Sequence, residues 1–126
     1  MGAAKSIGER ILVLVVDDNE DAADSLAQWL RHSGHQVEVA YSGLKALACV
    51  RSFQPDVVVC DLGLPEITGY EVARAVRRDA TRAIRLVALS GYARPDEVSR
   101  CMECGFDAHL AKPAAPADIE RMLRTS

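Results

Sequence analysis

No apolar stretch in this 126-residue chain approaches the roughly 20 residues that a membrane-spanning helix needs. The opening segment, Met-Gly-Ala-Ala-Lys-Ser, lacks the apolar middle of a secretory signal, so a cytoplasmic protein is expected. Positive charge is not in excess: 15 Lys and Arg against 18 Asp and Glu leave a net charge of −3. That balance predicts no general attraction to nucleic acid or to anionic lipid. Of the cysteines Cys49, Cys60, Cys101 and Cys104, only the last two have the spacing of a metal or redox half-site. No second pair completes a zinc site, and disulfide frameworks belong to short secreted chains with weak cores. Free thiols are expected, Cys101 and Cys104 near the end of an amphipathic helix. Repeats, low-complexity tracts and internal linkers are absent. At 49% hydrophobic and 26% charged residues, the composition is that of one globular domain. A chain of this length buries roughly two-thirds of its unfolded surface, enough for a core without staples.

Four apolar runs are present: Ile11–Val16, Val57–Cys60, Ile84–Leu89 (interrupted by Arg85) and the short Ala108–Ala111. Unbroken β-branched runs predict strands covered on both faces, as in a parallel sheet, while the alternating Val37-Glu38-Val39 suits an edge strand. Helical patterns lie between them. Ala23, Leu26, Ala27 and Leu30 make a stripe that stops at Gly34; Ser42 can cap a second helix, Thr68 a third. Pro95-Asp96-Glu97 reads as the first turn of a fourth helix that ends at Gly105, and a fifth begins near Pro116. Strand and helix alternate five times. The expected fold is α/β: a flavodoxin-like, doubly wound (βα)5 parallel sheet in the order 2-1-3-4-5, over residues 10–126 behind a tail of residues 1–9.

In such a sheet, ligands bind outside the carboxyl ends of the strands. Asp17 and Asp18 follow the first strand and Asp61 ends the third, in VVVCDLGLP. Ser90 ends the fourth, in VALSGY, and Lys112 follows the fifth, in HLAKP. Singly, each has a plain explanation as a helix cap, a turn residue or a solvated lysine. Together they bring three carboxylates, a hydroxyl and an ammonium to one edge. Two like charges about 4 Å apart repel by roughly 4 kcal/mol at an effective dielectric near 20. A single lysine leaves the group net negative, and a hard divalent cation held by carboxylates and waters, Mg²⁺ foremost, is its natural occupant.

With VVDDNE, CDLGLP, ALSGY and LAKP in this order, the sequence closely resembles the receiver domain of two-component response regulators. GFDAHLAKP is similar to receivers carried at the ends of hybrid histidine kinases. The resemblance implies that Asp61 accepts a phosphoryl group from a phosphohistidine of a sensor or hybrid histidine kinase, or of a histidine phosphotransfer protein. Small acyl phosphates also serve. It implies that Asp18 and Asp61 ligate Mg²⁺ (or Mn²⁺) directly, that Asp17 acts largely through water, and that the Gly63 carbonyl completes the set. Lys112 then acts on a phosphoryl oxygen, Ser90 on another, and the Lys112–Pro113 bond is cis. Such a domain is a signalling module that catalyses only its own phosphorylation and dephosphorylation. Its docking and possible homodimer face lies around the fourth and fifth helices.

The pattern departs from the commonest one in two places. His109 stands three residues before Lys112, where tyrosine or phenylalanine couples to the hydroxyl switch. An imidazole there is expected to act as a switch element sensitive to charge, or to be a plain exposed edge-strand residue. Gly63 and Tyr92, two residues after Asp61 and Ser90, offer no acidic or amide side chain to orient a hydrolytic water, so slow self-dephosphorylation is expected. His32 and His35 are read as surface residues far from the chemistry, and Trp29 as a partly covered surface residue. Competing readings are weaker. A haloacid-dehalogenase-type phosphatase needs a second acid where Gly63 stands, and a nucleotide binder needs a Gly-rich loop where VDDNED stands. The remaining alternative is a pseudo-receiver, an interaction scaffold that is not phosphorylated.

Overall fold

The apolar runs become strands because β-branched side chains pack well on a pleated surface with helices over both faces. A computed structural model of the chain describes residues 10–91 and 94–124. The tail of residues 1–9, and Tyr92, lie outside the described residues. The elements are β1 (Leu12–Val16), α1 (Glu20–His32), β2 (Gln36–Ala40), α2 (Gly43–Phe53), β3 (Val57–Asp61), α3 (Gly69–Asp79), β4 (Arg85–Ser90), α4 (Pro95–Cys104), β5 (Ala108–Ala111) and α5 (Pro116–Arg124). The sheet is parallel throughout, in the order β2-β1-β3-β4-β5. β3 is buried at every position, whereas β2 alternates as an edge strand does.

Two cores sandwich the sheet. On one face Leu14, Val16, Val58, Cys60, Leu86 and Ala88 meet Ala46 of α2, Val72, Ala73 and Val76 of α3, and Cys101 and Cys104 of α4. On the other, Val13, Val15, Val57, Val59, Val87 and Leu89 meet Ala23, Leu26, Ala27 and Leu30 of α1 and Ile119 and Leu123 of α5. All four cysteines are free thiols. Among the described residues no helix is long and apolar enough to cross a membrane.

Helix ends are set locally. Asn19, Ser42 and Thr68 each accept a backbone N–H of the first turn. Thr68 and Glu71 form a reciprocal capping box. Pro95 opens α4, and Gly105, at φ +112°, closes it in the left-handed region. Behind Gly105, Arg77 of α3 donates to the carbonyls of Gly105 (2.8 Å) and Ile84 (2.6 Å) and to Asp107 Oδ2 (2.7 Å). Asp107 Oδ2 also accepts the Leu86 N–H at 2.8 Å. One guanidinium thus ties α3 to the β4 start and to the turn before β5.

The surface reading holds for His32, which is exposed, and fails for His35, which is buried. His35 Nδ1 accepts the Ile11 N–H at 3.4 Å, and Nε2 lies 3.0 Å from Glu120 Oε2 on α5. The pair clamps the turn after α1 to the start of β1 and to α5. Replacing His35 by phenylalanine keeps ring volume but strips the Ile11 N–H of its acceptor and leaves Glu120 with Arg124 at 3.9 Å. Unfolding in urea should show a loss of about 1–3 kcal/mol for His35→Phe. His32→Phe should stay within about 0.5 kcal/mol, as for a surface change. Equal effects of the two would contradict the clamp.

Candidate functional site

Parallel register brings the polar strand ends together. Val16 pairs with Cys60, so Asp17, just after β1, and Asp61, the last residue of β3, follow side by side. Asp61 pairs with Leu89 and Ser90 with Ala111, which sets Ser90 and Lys112 on the same edge. The Lys112 N–H fastens to the Ser90 carbonyl at 2.7 Å.

Because Asn19 caps α1, neither neighbouring aspartate is needed for that role. Asp17, buried, accepts the Asn19 N–H on Oδ1 at 3.0 Å and faces Lys112 Nζ with Oδ2 at 3.2 Å. Asp61, also buried, accepts the Gly63 N–H on Oδ1 at 3.1 Å and faces the same ammonium with Oδ2 at 3.2 Å. Asp18 is exposed, yet one oxygen each of Asp17, Asp18 and Asp61 lie within 4.8 Å of one another. Lys112 is one-third exposed. Burial works against its charge, but Asp61 and then Asp17 outweigh it and hold the ammonium above the ordinary lysine range. Burial, reinforced by Asp61 and Asp17, pushes the adjacent Cys60 thiol far above its usual value. It is a packing residue beside the acids, not a nucleophile.

Ser90 is buried, with its Oγ 2.8 Å from His109 Nε2. His109 is half-buried, so the plain exposed edge residue is not what the structure contains. The Lys112–Pro113 bond is cis. The donor set, three carboxylates against one ammonium, suits a hard divalent ion: oxygen ligands only, clustered, on an edge open to water at Asp18.

Sequence reasoning passed over Gly69. A Cβ there would sit 2.6 Å from the Asp61 carbonyl oxygen and 2.8 Å from the Leu62 Cα, so the first turn of α3 lies directly on the backbone that carries Asp61. Its only local signal is a glycine next to a helix cap.

An open parallel sheet with acids, hydroxyl and lysine at the carboxyl ends of β1, β3, β4 and β5 defines a doubly wound α/β protein with a polar site at the sheet edge. The profile of the response regulator receiver domain matches residues 13–124. The transcriptional regulatory protein CreB of Escherichia coli (strain K12) is 36% identical over 119 residues, 93% of this chain and 51% of that protein. The chain thus spans about half the length of CreB. The two-component response regulator ORR11 of Oryza sativa subsp. indica is 35% identical over 114 residues, 88% of this chain and 77% of the relative. A solved response regulator from Burkholderia pseudomallei, with a phosphorylated aspartic acid, calcium ion and citrate, superposes with TM-score 0.84 at 29% identity. That superposition covers 93% of this chain and 68% of the other. The chain belongs to the response regulator receiver domain family of two-component systems. Receiver domains are signalling domains that bind Mg²⁺ through clustered acids and interact with histidine kinases and phosphotransfer proteins.

Gly69→Ala should destabilise the fold by about 1–3 kcal/mol through overpacking. It should also shift the backbone amide resonances of Asp61 and Leu62 more than those of β2. Wild-type stability and unshifted Asp61 resonances would show that the contact is slack.

Proposed function

We propose that residues 10–126 form a phosphorylation-activated receiver in which Asp61 accepts a phosphoryl group from a phosphohistidine. The donor would be a sensor or hybrid histidine kinase, or a histidine phosphotransfer protein. The carrying observation is Asp61 itself: buried, beside Asp17, and paired at 3.2 Å with Lys112. An Asp61 carboxylate oxygen forms the new bond to phosphorus as the bond from phosphorus to the donor nitrogen breaks, and the imidazole leaves with the electron pair. Lys112, already at this carboxylate, supplies a fixed positive charge for a phosphoryl oxygen. Ser90 supplies a hydroxyl to another. Asp17, Asp18, Asp61 and the Gly63 carbonyl would hold the divalent ion, Mg²⁺ or Mn²⁺. That ion supplies neutralisation of the charge between acceptor and phosphoryl group.

The calcium ion and phosphorylated aspartic acid of the Burkholderia protein support this reading by analogy. Gly63 offers no side chain to orient a hydrolytic water, which supports a slow loss of the phosphoryl group; Tyr92, of which the same is expected, lies outside the described residues. The output would pass to a partner, or to a second copy of the chain, at the α4 and α5 face. With a net charge of −3, direct nucleic-acid contact by these residues is not proposed.

Incubation with acetyl phosphate and MgCl₂, read by intact mass spectrometry, should show a single phosphoryl adduct that Asp61→Asn abolishes. Lys112→Ala should slow adduct formation by roughly 10²-fold, the size of losing one preorganised electrostatic partner. After the donor is removed, the adduct should persist well beyond seconds. A wild-type chain without an adduct, with acetyl phosphate or with a phosphohistidine donor, would instead favour the unphosphorylated scaffold.

A further inference from the structure

The loop between Asp61 and α3 carries Gly63, and both of its ends are held by backbone. The Leu62 N–H donates to the Leu89 carbonyl at 2.9 Å, and the Gly69 N–H to the Leu62 carbonyl at 3.2 Å. Between these points Leu62 and Leu64 are buried and Pro65 fixes its own φ. Glu66 stands at φ +67°, in the left-handed region that a side chain enters only at a cost. Its side chain is exposed, so its own packing does not explain that conformation. The next residue does. Ile67 is half-buried against the core and lies directly over Gly43, the first residue of α2. A Cβ on Gly43 would sit 2.4 Å from Ile67 Cγ1, 2.9 Å from Cδ1 and 3.0 Å from the Ile67 carbonyl oxygen. Side chain and backbone of the loop thus rest together on a bare Cα. Nothing else at this position calls for glycine: Gly43 is not among the residues of positive φ, and Ser42 already caps the helix.

We propose that Gly43 is a positioning residue for the metal-binding loop: its missing side chain lets Ile67 seat on the start of α2, and this seat fixes where the Gly63 carbonyl stands relative to the three acids. The inference rests on the reading of that carbonyl as a ligand of the divalent ion. Gly63 is exposed and has no side chain with which to anchor itself. Its own N–H is held by Asp61 Oδ1 at 3.1 Å, which restrains one side of the residue only. The other side depends on the loop beyond it. A side chain at position 43 would push Ile67 outward. The first turn of α3 has no room to absorb that movement, because Gly69 already lies against the Asp61 carbonyl and the Leu62 Cα. The displacement therefore passes back along the loop toward Gly63. Mg²⁺ tolerates such an error poorly, since it demands near-ideal octahedral geometry.

Calorimetric titration of the whole chain with MgCl₂ tests this. Gly43→Ala should weaken Mg²⁺ binding roughly 10-fold, the size of losing a group that orients a metal ligand. Its rate of adduct formation with acetyl phosphate should fall at low MgCl₂ and return to within about 2-fold of wild type at saturation, a split that a merely structural role would not produce. In an Ile67→Ala background, where Cγ1 and Cδ1 are gone, Gly43→Ala should change Mg²⁺ affinity less than about 2-fold. Should Gly43→Ala fail to fold, Ile67→Ala alone decides: it removes the seat without adding atoms and should weaken Mg²⁺ binding by roughly 2- to 3-fold, the low end of the coupling between residues in contact. Wild-type Mg²⁺ affinity in both single variants, or equal losses from Gly43→Ala in both backgrounds, would overturn the proposal while leaving the metal site intact. A wild-type chain that binds no Mg²⁺ would overturn the metal reading, and this inference with it.

Discussion

Lys112 reaches back from the end of β5 and places its ammonium 3.2 Å from both Asp17, just after β1, and Asp61, the last residue of β3. The rest of the site depends on this double contact. Two buried carboxylates at neighbouring strand ends repel by several kcal/mol at the dielectric of a protein edge, a large fraction of the roughly 5–15 kcal/mol that holds a domain folded. Fixing one cation between them turns a repulsive pair into a chain of alternating charge. The bridge exists because the strand order puts β4 between β3 and β5, so that a lysine after β5 must pass over the end of β4 to reach the acids. Ser90, the last residue of β4, lies under that crossing. The hydroxyl is therefore part of the same edge for a topological reason.

How much of this could be read from the sequence follows from the range of each interaction. Ser42, Thr68, Pro95 and Gly105 act on residues close by in the chain, and all stand where the pattern placed them. The strand order was legible because five alternating units leave few ways to cover both faces of a parallel sheet. That these polar strand ends converge was legible for a related reason: a parallel sheet gathers every strand end on one edge, so position within a strand predicts position in space. What failed was long-range and local at once. His35 follows a helix-ending glycine, where exposure is the ordinary expectation, but its partners are Ile11 and Glu120, 24 and 85 residues away. Arg77 looks like a charged helix residue until its three acceptors near Gly105 are seen. Gly69 carries no side chain to betray the backbone beneath it.

Charge count decides what the edge can respond to. Lys112 neutralises the inner acids, Asp17 and Asp61, while Asp18 remains toward solvent and the set keeps net negative charge. A phosphoryl group on Asp61 would add further negative charge and three strong acceptor oxygens at the point where the ammonium already sits. Lys112 would then face competing anions, with the Ser90 hydroxyl on the same edge. Because the Ser90 carbonyl holds the Lys112 N–H and the Ser90 hydroxyl holds His109, a shift at the end of β4 is felt on β5 through backbone and side chain together. Packed parallel strands cannot slide to absorb such a change, since the register is fixed by apolar rows on both faces. A response to added charge would therefore fall on side chains at the edge rather than on the register of the strands.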